Sequence, residues 1–429
     1  MLCPGEINQS HTPLHSADSG HEIQQRHVVS VCRNCEAVVR LRNEGATVRP
    51  RGPQQEQELA QQEPAQRQPR QLERQKPPSR NDSGIRAFSR GSMQTYNNLY
   101  PKLCDYDNLL LAFTKARKGK SGKEYVQLFE KNLPNELFKL QWELLTEIYK
   151  PAPLTTFTVR DPKTRKISAS HFRDRVVHHA ICNIIEPIFE SRFIFDTFAN
   201  RKGKGTSAIL KRFDSFKRKV GPGGFALKAD IRHYFQTVDQ QVLMGILARR
   251  VRDEQLLSLI RLILENHKTE VPGRGMPLGN LTSQFFANIY LAELDNFVKH
   301  ELRARFYIRY VDDFVILGQD RARLHQWKGE IEAFLEEELG ISLHPDKTKI
   351  VRLRDGVPLV GFRVFQHYKL LKKSNLRRLE RRVSLLKDGI ATGSITPEHV
   401  RLSMAGWEGY ARMGDTFTLR QEIAQELNA

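Results

Sequence analysis

The sequence predicts a mixed α+β fold, and three observations carry that expectation. Composition changes near residue 92, where a stretch rich in Gln, Pro and Arg gives way to foldable sequence. Apolar residues then recur at helical spacing in several segments. Between those segments lie short β-forming runs, two of which bring aspartates to positions 230 and 312–313.

The 429 residues hold 68 Lys+Arg against 49 Asp+Glu, a net charge of +19. Residues 1–92 carry 13 basic and 10 acidic side chains, so the excess belongs to the body that follows. The usual physical reason for such a surface is a polyanionic partner. No run approaches the roughly 18 apolar residues of a membrane helix. The first residues, MLCPGEINQSHT, lack the charged and apolar regions of a secretory signal. Five scattered cysteines do not make a disulfide framework. A membrane protein, a secreted disulfide scaffold and an exported enzyme are therefore not expected. A cytoplasmic protein with no membrane partner is expected.

Residues 1–92 read as a disordered extension. Gln54 to Gln75 contains nine glutamines and little apolar surface with which to offset ordering entropy. Cys32 and Cys35 form a CxxC without the second pair of a zinc ribbon, although His21 and His27 could complete a site. Met93 is an alternative start. Beyond it, Leu109, Leu110, Leu111 and Phe113 predict a helix that ends at the basic run 115–120. Leu137, Leu140, Leu144 and Leu145 predict a second, stopped at Pro151. Phe157–Pro162 and Arg165–Ser168 read as a hairpin, and 175–189 as a helix with Val176, Ile181, Ile184 and Ile185 on its apolar stripe. A last amphipathic helix sets Leu376, Leu379, Val383 and Leu386 against a basic face.

The aspartates carry the chemistry. Strand interiors disfavour Asp, and adjacent like charges repel. Asp312-Asp313, set between Phe306–Tyr310 and Phe314–Leu317, is therefore either a solvated turn or the tip of a hairpin that holds a cation. Asp230 ends a second apolar strand, Phe225–Asp230. Two strands that bring carboxylates to one sheet end suit hard, oxygen-ligated cations, which can activate a hydroxyl and stabilise a leaving phosphate oxygen.

Asp230 after a strand and YVDDF (310–314) on a hairpin resemble motifs A and C of reverse transcriptases. The likeness continues in order over most of 95–425. RKISASHFRDRVV (165–177) and FANRKGKGT (198–206) resemble the two fingers motifs, GMPLGNLTSQ (275–284) motif B, LHPDKTK (343–349) motif D, and LVGF (359–362) motif E. Motif B reads LGxxxSQ rather than QGxxxSP, which resembles the reverse transcriptases of diversity-generating retroelements within the group II intron-like and retron-type family.

The resemblance implies a right-hand polymerase with fingers (93–220), a palm with an antiparallel sheet (221–365) and a short helical thumb (366–429). No fused maturase, nuclease or integrase segment is expected after the thumb. Asp230, Asp312, Asp313 and the Ile231 carbonyl would hold two Mg²⁺ ions, with Mn²⁺ able to substitute. Phe235 is either a steric gate against ribose or a core ring. Arg165 and Arg175 would meet the triphosphate, or else pair with Asp161 or Asp174. Gly279 would let the backbone approach the templating pair. Leu278 and Gln284 replace the usual Gln and Pro, and Leu278 cannot make the usual amide contact to the nucleotide. Lys347 is a general acid for pyrophosphate, a phosphate contact or an exposed lysine. Arg201, Lys202 and Lys204, with Lys372, Lys373, Arg377 and Arg381 of the thumb helix, would grip template and primer. The implied partners are template RNA, a DNA or RNA primer, dNTPs and a small basic accessory protein. The implied function is cDNA synthesis with errors at template adenines. A defence-associated reverse transcriptase is the alternative, and an RNA-binding, maturase-like protein with dispensable polymerase activity is the alternative of a different class.

Overall fold

The computed structural model describes residues 94–160 and 164–428. The expected extension 1–92 and its Cys32 and Cys35 lie outside the described residues. Four helices come first: α1 (Tyr100–Cys104), α2 (Tyr106–Arg117), α3 (Glu124–Lys131) and α4 (Leu133–Leu145). Asp105 starts α2 by accepting from the Asp107 amide, and Pro134 stands in the first turn of α4, where no N–H is needed. Strands β1 (Thr155–Val159) and β2 (Arg165–Ala169) pair as the expected antiparallel hairpin. They lead into α5 (Phe172–Glu190), whose apolar stripe is buried against α2.

The central sheet follows: β3 (Thr197–Phe198), α6 (Thr206–Val220), β4 (Phe225–Asp230), α7 (Tyr234–Thr237), α8 (Gln240–Ala248), α9 (Glu254–Glu265), α10 (Leu281–Asn296), β5 (Phe306–Tyr310), β6 (Asp313–Gly318), α11 (Arg321–Leu339) and β7 (Lys349–Arg352). The strand order is β3-β5-β6-β4-β7. Four strands are antiparallel, as expected. The edge strand β3 is parallel to β5, because it enters the sheet from α5 rather than from a hairpin. Strand alternation gives each face its own core. Leu227, Ala229, Phe314 and Ile316 join a core that runs from Leu99 to Leu343. Ala226, Val315 and Leu317 join another, closed by α6 and by a second sheet. Helix α6, placed with the fingers on sequence, thus packs on the central sheet.

That second sheet is β8 (Val357–Leu359), β9 (Phe362–Val364) and β10 (Lys369–Leu371), antiparallel and in the order β10-β9-β8. The chain ends in three helices, α12 (Lys373–Ala391), α13 (Pro397–Ala411) and α14 (Phe417–Asn428). Among the described residues no helix is long and apolar enough to cross a membrane.

Candidate active site

Asp230 and Asp313 are partners in the β4–β6 ladder, so both side chains leave the same face of the sheet at one end. Asp312 precedes Asp313 in the two-residue turn Val311-Asp312 that joins β5 to β6. Val311 has φ +56°, a left-handed conformation that a β-branched residue rarely adopts. The Ile231 amide donates to the Asp312 carbonyl at 3.3 Å. On its other side Ile231 bridges Leu343 through its neighbours, Arg232 N–H to Ser342 O and His344 N–H to Asp230 O, and so not through its own carbonyl. The three acidic side chains and the Ile231 backbone are therefore brought together.

Two lysines complete the electrostatics. Lys347 contacts Asp230 Oδ2, and Lys228 Nζ donates to Asp313 Oδ1 at 2.8 Å. Lys228 is absent from the sequence reading. The available signal was strand period, since a residue two before Asp230 shares its face. Burial, followed by the charges of Asp230 and Asp313, pushes the Asp312 carboxyl up to about 6.

Among the described residues no three Asp, Glu, His or Cys side chains already enclose a metal position. The donor set nevertheless fits a divalent cation. It is all oxygen, it is concentrated at one strand end, and a hard cation relieves the repulsion that, after burial, raises Asp312.

Around this centre, the half-buried Phe235 sits in α7 with its ring edge-on to Tyr234 at 5.5 Å, and its carbonyl accepts from the Met276 amide at 2.7 Å. The motif B strap thus lies directly over it. Gly279 has φ +122°, and a Cβ there would stand 2.8 Å from Ile167 Cγ2. Its bare face meets the β2 strand, to which Leu278 is also tied by accepting from the Ser168 amide at 3.0 Å. Gln284 lies in the first turn of α10.

Arg165 is exposed on β2; its possible partner Asp161 lies outside the described residues. Arg175 does not pair with Asp174. Its Nε donates to Ser170 O at 2.8 Å and its guanidinium lies over the Tyr125 ring. Asp174 is buried and accepts instead from Tyr149 Oη and the Ala152 amide.

Arg201 requires a correction. Expected on template or primer, its side chain is only 7 % exposed and is consumed by Glu190 at 2.8 Å and by the carbonyls of Ile194 and Thr197. It builds the basic loop rather than serving as its contact surface. Lys204 stays at the surface, donating to Phe195 O and lying 3.3 Å above the exposed Phe195 ring. Lys202 is exposed, as are Lys373, Arg377 and Arg381 on α12, while Lys372 is half-buried. Trp407 and Tyr410 are half-buried and pack against the core that includes the second sheet.

A family profile described as reverse transcriptase (RNA-dependent DNA polymerase) matches residues 157–373, half of the chain. The chain belongs to the reverse transcriptase family. Its architecture is accordingly the right-hand polymerase fold, and membership implies dependence on a divalent metal. Similar proteins include protein YkfC of Escherichia coli, 25% identical over 280 residues, covering 56% of this chain and 74% of YkfC. The group II intron-encoded protein LtrA of Lactococcus lactis is 22% identical over 356 residues, covering 65% of this chain and 59% of LtrA. A solved telomerase from Candida albicans aligns with TM-score 0.40 and 13% identity, covering 59% of this chain and 54% of that one. The chain thus spans little more than half the length of the last two.

Proposed function

We propose that this reverse transcriptase copies RNA into DNA at the Asp230–Asp312–Asp313 centre. The observation that carries the reading is the register of Asp230 opposite Asp313, which concentrates three carboxylates at one end of a basic protein's sheet. In the reaction a primer 3′-hydroxyl attacks the α-phosphorus of a dNTP and pyrophosphate leaves. Two Mg²⁺ ions, when bound, would polarise the hydroxyl and neutralise the leaving oxygens.

The chain's own residues do the rest. Asp230, Asp312 and Asp313, with the Ile231 carbonyl, supply the oxygen ligands. Lys347, already at Asp230, can offer a proton or a positive charge to the departing pyrophosphate. Phe235 presents an aromatic wall where a ribose 2′-hydroxyl would otherwise fit. Arg165 and Arg175 present guanidinium groups suited to triphosphate oxygens. Lys202 and the exposed basic face of α12 meet the backbone of an A-form duplex without reading its sequence. We assign fingers to 93–220, palm to 221–365 and thumb to 366–429, with α6 shared between the first two because it packs on the central sheet.

The finer reading is a retroelement enzyme that misincorporates opposite template adenine, assisted by a small basic accessory protein. It is supported by LGNLTSQ (278–284), in which Leu278 has no amide to offer the nucleotide and one source of base discrimination is lost. Primer extension followed by product sequencing tests it: errors concentrated at adenine support it, and uniform fidelity contradicts it. A second reading, a maturase-like RNA-binding role, draws on relatives named as maturases, among them nuclear intron maturase 1 of Arabidopsis thaliana, which matches 41% of the chain. Full biological effect from an Asp312→Asn variant would favour that role.

A further inference from the structure

Beneath the catalytic turn lies a buried polar network that the proposed chemistry does not use. Arg309 on β5 is fully buried. Its Nε and Nη2 donate to the two carboxylate oxygens of Asp295 on α10, at 2.7 and 2.6 Å. Asp295 also accepts from Tyr307 Oη and Thr197 Oγ1, each at 2.6 Å. The remaining Arg309 nitrogen, Nη1, donates to the Val311 carbonyl at 2.8 Å and to Asn288 Oδ1 at 3.3 Å. Asn288, fully buried on α10, donates its own amide to the Ala199 carbonyl at 3.2 Å.

A buried ion pair is a poor way to gain stability, because apolar residues of similar volume do as well or better. What this one adds is position. The two carbonyls at the ends of the network belong to Val311 (φ +56°) and Ala199 (φ +73°). Both are non-glycine residues in the left-handed region, a strained conformation that persists only where the surroundings impose it. Val311 is followed directly by Asp312, and Ala199 opens the basic loop that carries Lys202. A guanidinium fork can hold a carboxylate and two further acceptors at once, whereas a lysine ammonium cannot match that planar geometry.

We propose that Arg309 and Asn288 are positioning residues that fix the Val311-Asp312 turn and couple it to the basic loop at 199–204. Positioning of the Asp312 carboxyl for catalysis rests on the polymerase reading; the coupling of the two turns does not. The test is hydrogen–deuterium exchange on the full chain, comparing wild type with Arg309→Lys and Asn288→Ala, together with primer-extension kinetics. Each variant should speed exchange about tenfold or more in both segments, 199–204 and 310–314, although more than a hundred residues separate them in sequence. Asn288→Ala leaves the ion pair with Asp295 intact, so it decides the matter even where Arg309→Lys fails to fold. In extension, Arg309→Lys should lower kcat about tenfold or more with dNTP KM within about twofold, as misplacement of a reacting group does. Exchange that rises in one segment only, or in neither, overturns the coupling. An unchanged kcat for a variant whose exchange has risen overturns the catalytic role. Wild-type protein unable to extend a primer would overturn the polymerase reading, and the exchange comparison would still decide the coupling.

Discussion

Lys228 Nζ lies 2.8 Å from Asp313 Oδ1 across the β4–β6 ladder, two residues before Asp230, which is itself in contact with Lys347. Each outer carboxylate of the centre is thus met by an ammonium group. Burial, followed by the charges of Asp230 and Asp313, pushes the Asp312 carboxyl up to about 6. A carboxyl whose folded pKa stands above its ordinary 3.8 binds its proton more tightly when folded. Its ionisation therefore removes stability as pH rises through about 6. Metal-free Asp312→Asn protein should be more stable than wild type by about 3 kcal/mol at pH 7–8, and the gap should close below pH 4. Thermal unfolding with chelator across that range checks it; parallel curves would count against the crowded centre.

The same proton competes with a cation. At limiting Mg²⁺, cation binding measured by thermal shift should weaken as pH falls through 6, by up to about tenfold per unit. Saturating Mg²⁺ should shift the midpoint downward. A binding curve flat between pH 5 and 8 would remove Asp312 from the ligand set.

If Phe235 walls off the sugar, Phe235→Val should raise ribonucleotide incorporation relative to deoxyribonucleotide by about 100-fold or more, with deoxyribonucleotide kcat/KM changed far less. A variant that merely loses stability, with an unaltered sugar preference, would make Phe235 an ordinary core ring.

Much of this was legible in the sequence, for identifiable reasons. Strand alternation and the placement of Asp230 and Asp312-Asp313 announced the sheet end, because carboxylates in β-forming runs need an explanation. The basic loop was legible as basic, but the division of labour within it was not. Arg201 and Lys202 are neighbours of the same charge, and only the fold turns Arg201 inward to Glu190 while leaving Lys202 in water. Asp295, Asn288 and Arg309 were not legible in the sequence, since a network that joins three distant segments leaves no local periodicity. Gly279 was expected to approach the templating pair; that its bare face meets Ile167 of β2 was not legible, because the contact joins segments far apart in sequence.

The loop's division of labour separates two lysine- and arginine-to-alanine outcomes. Arg201→Ala should destabilise the fold by about 2 kcal/mol or more, because it strips partners from two buried-side carbonyls and from Glu190. Lys202→Ala should leave the melting temperature unchanged and reduce the salt slope of RNA binding by about 0.7–1. Equal effects of both variants on salt slope would restore Arg201 to the contact surface.

Gly279→Ala places a methyl 2.8 Å from Ile167 Cγ2 in a backbone conformation that L-residues avoid. It should cost about 1–3 kcal/mol and separate the β1–β2 hairpin from motif B. Adding Ile167→Ala should relieve the clash but not the backbone strain, so recovery should be partial. Full recovery would mean that φ +122° is not enforced there.

The central claim is that the Asp230–Asp312–Asp313 centre copies RNA into DNA. Its most direct test is extension of a labelled primer on a defined RNA template with Mg²⁺ and dNTPs, comparing wild type with Asp312→Asn. The wild type should give template-length product, and the variant at least about a thousandfold less. Comparable synthesis by Asp312→Asn, or none by folded, RNA-bound wild type, would contradict it.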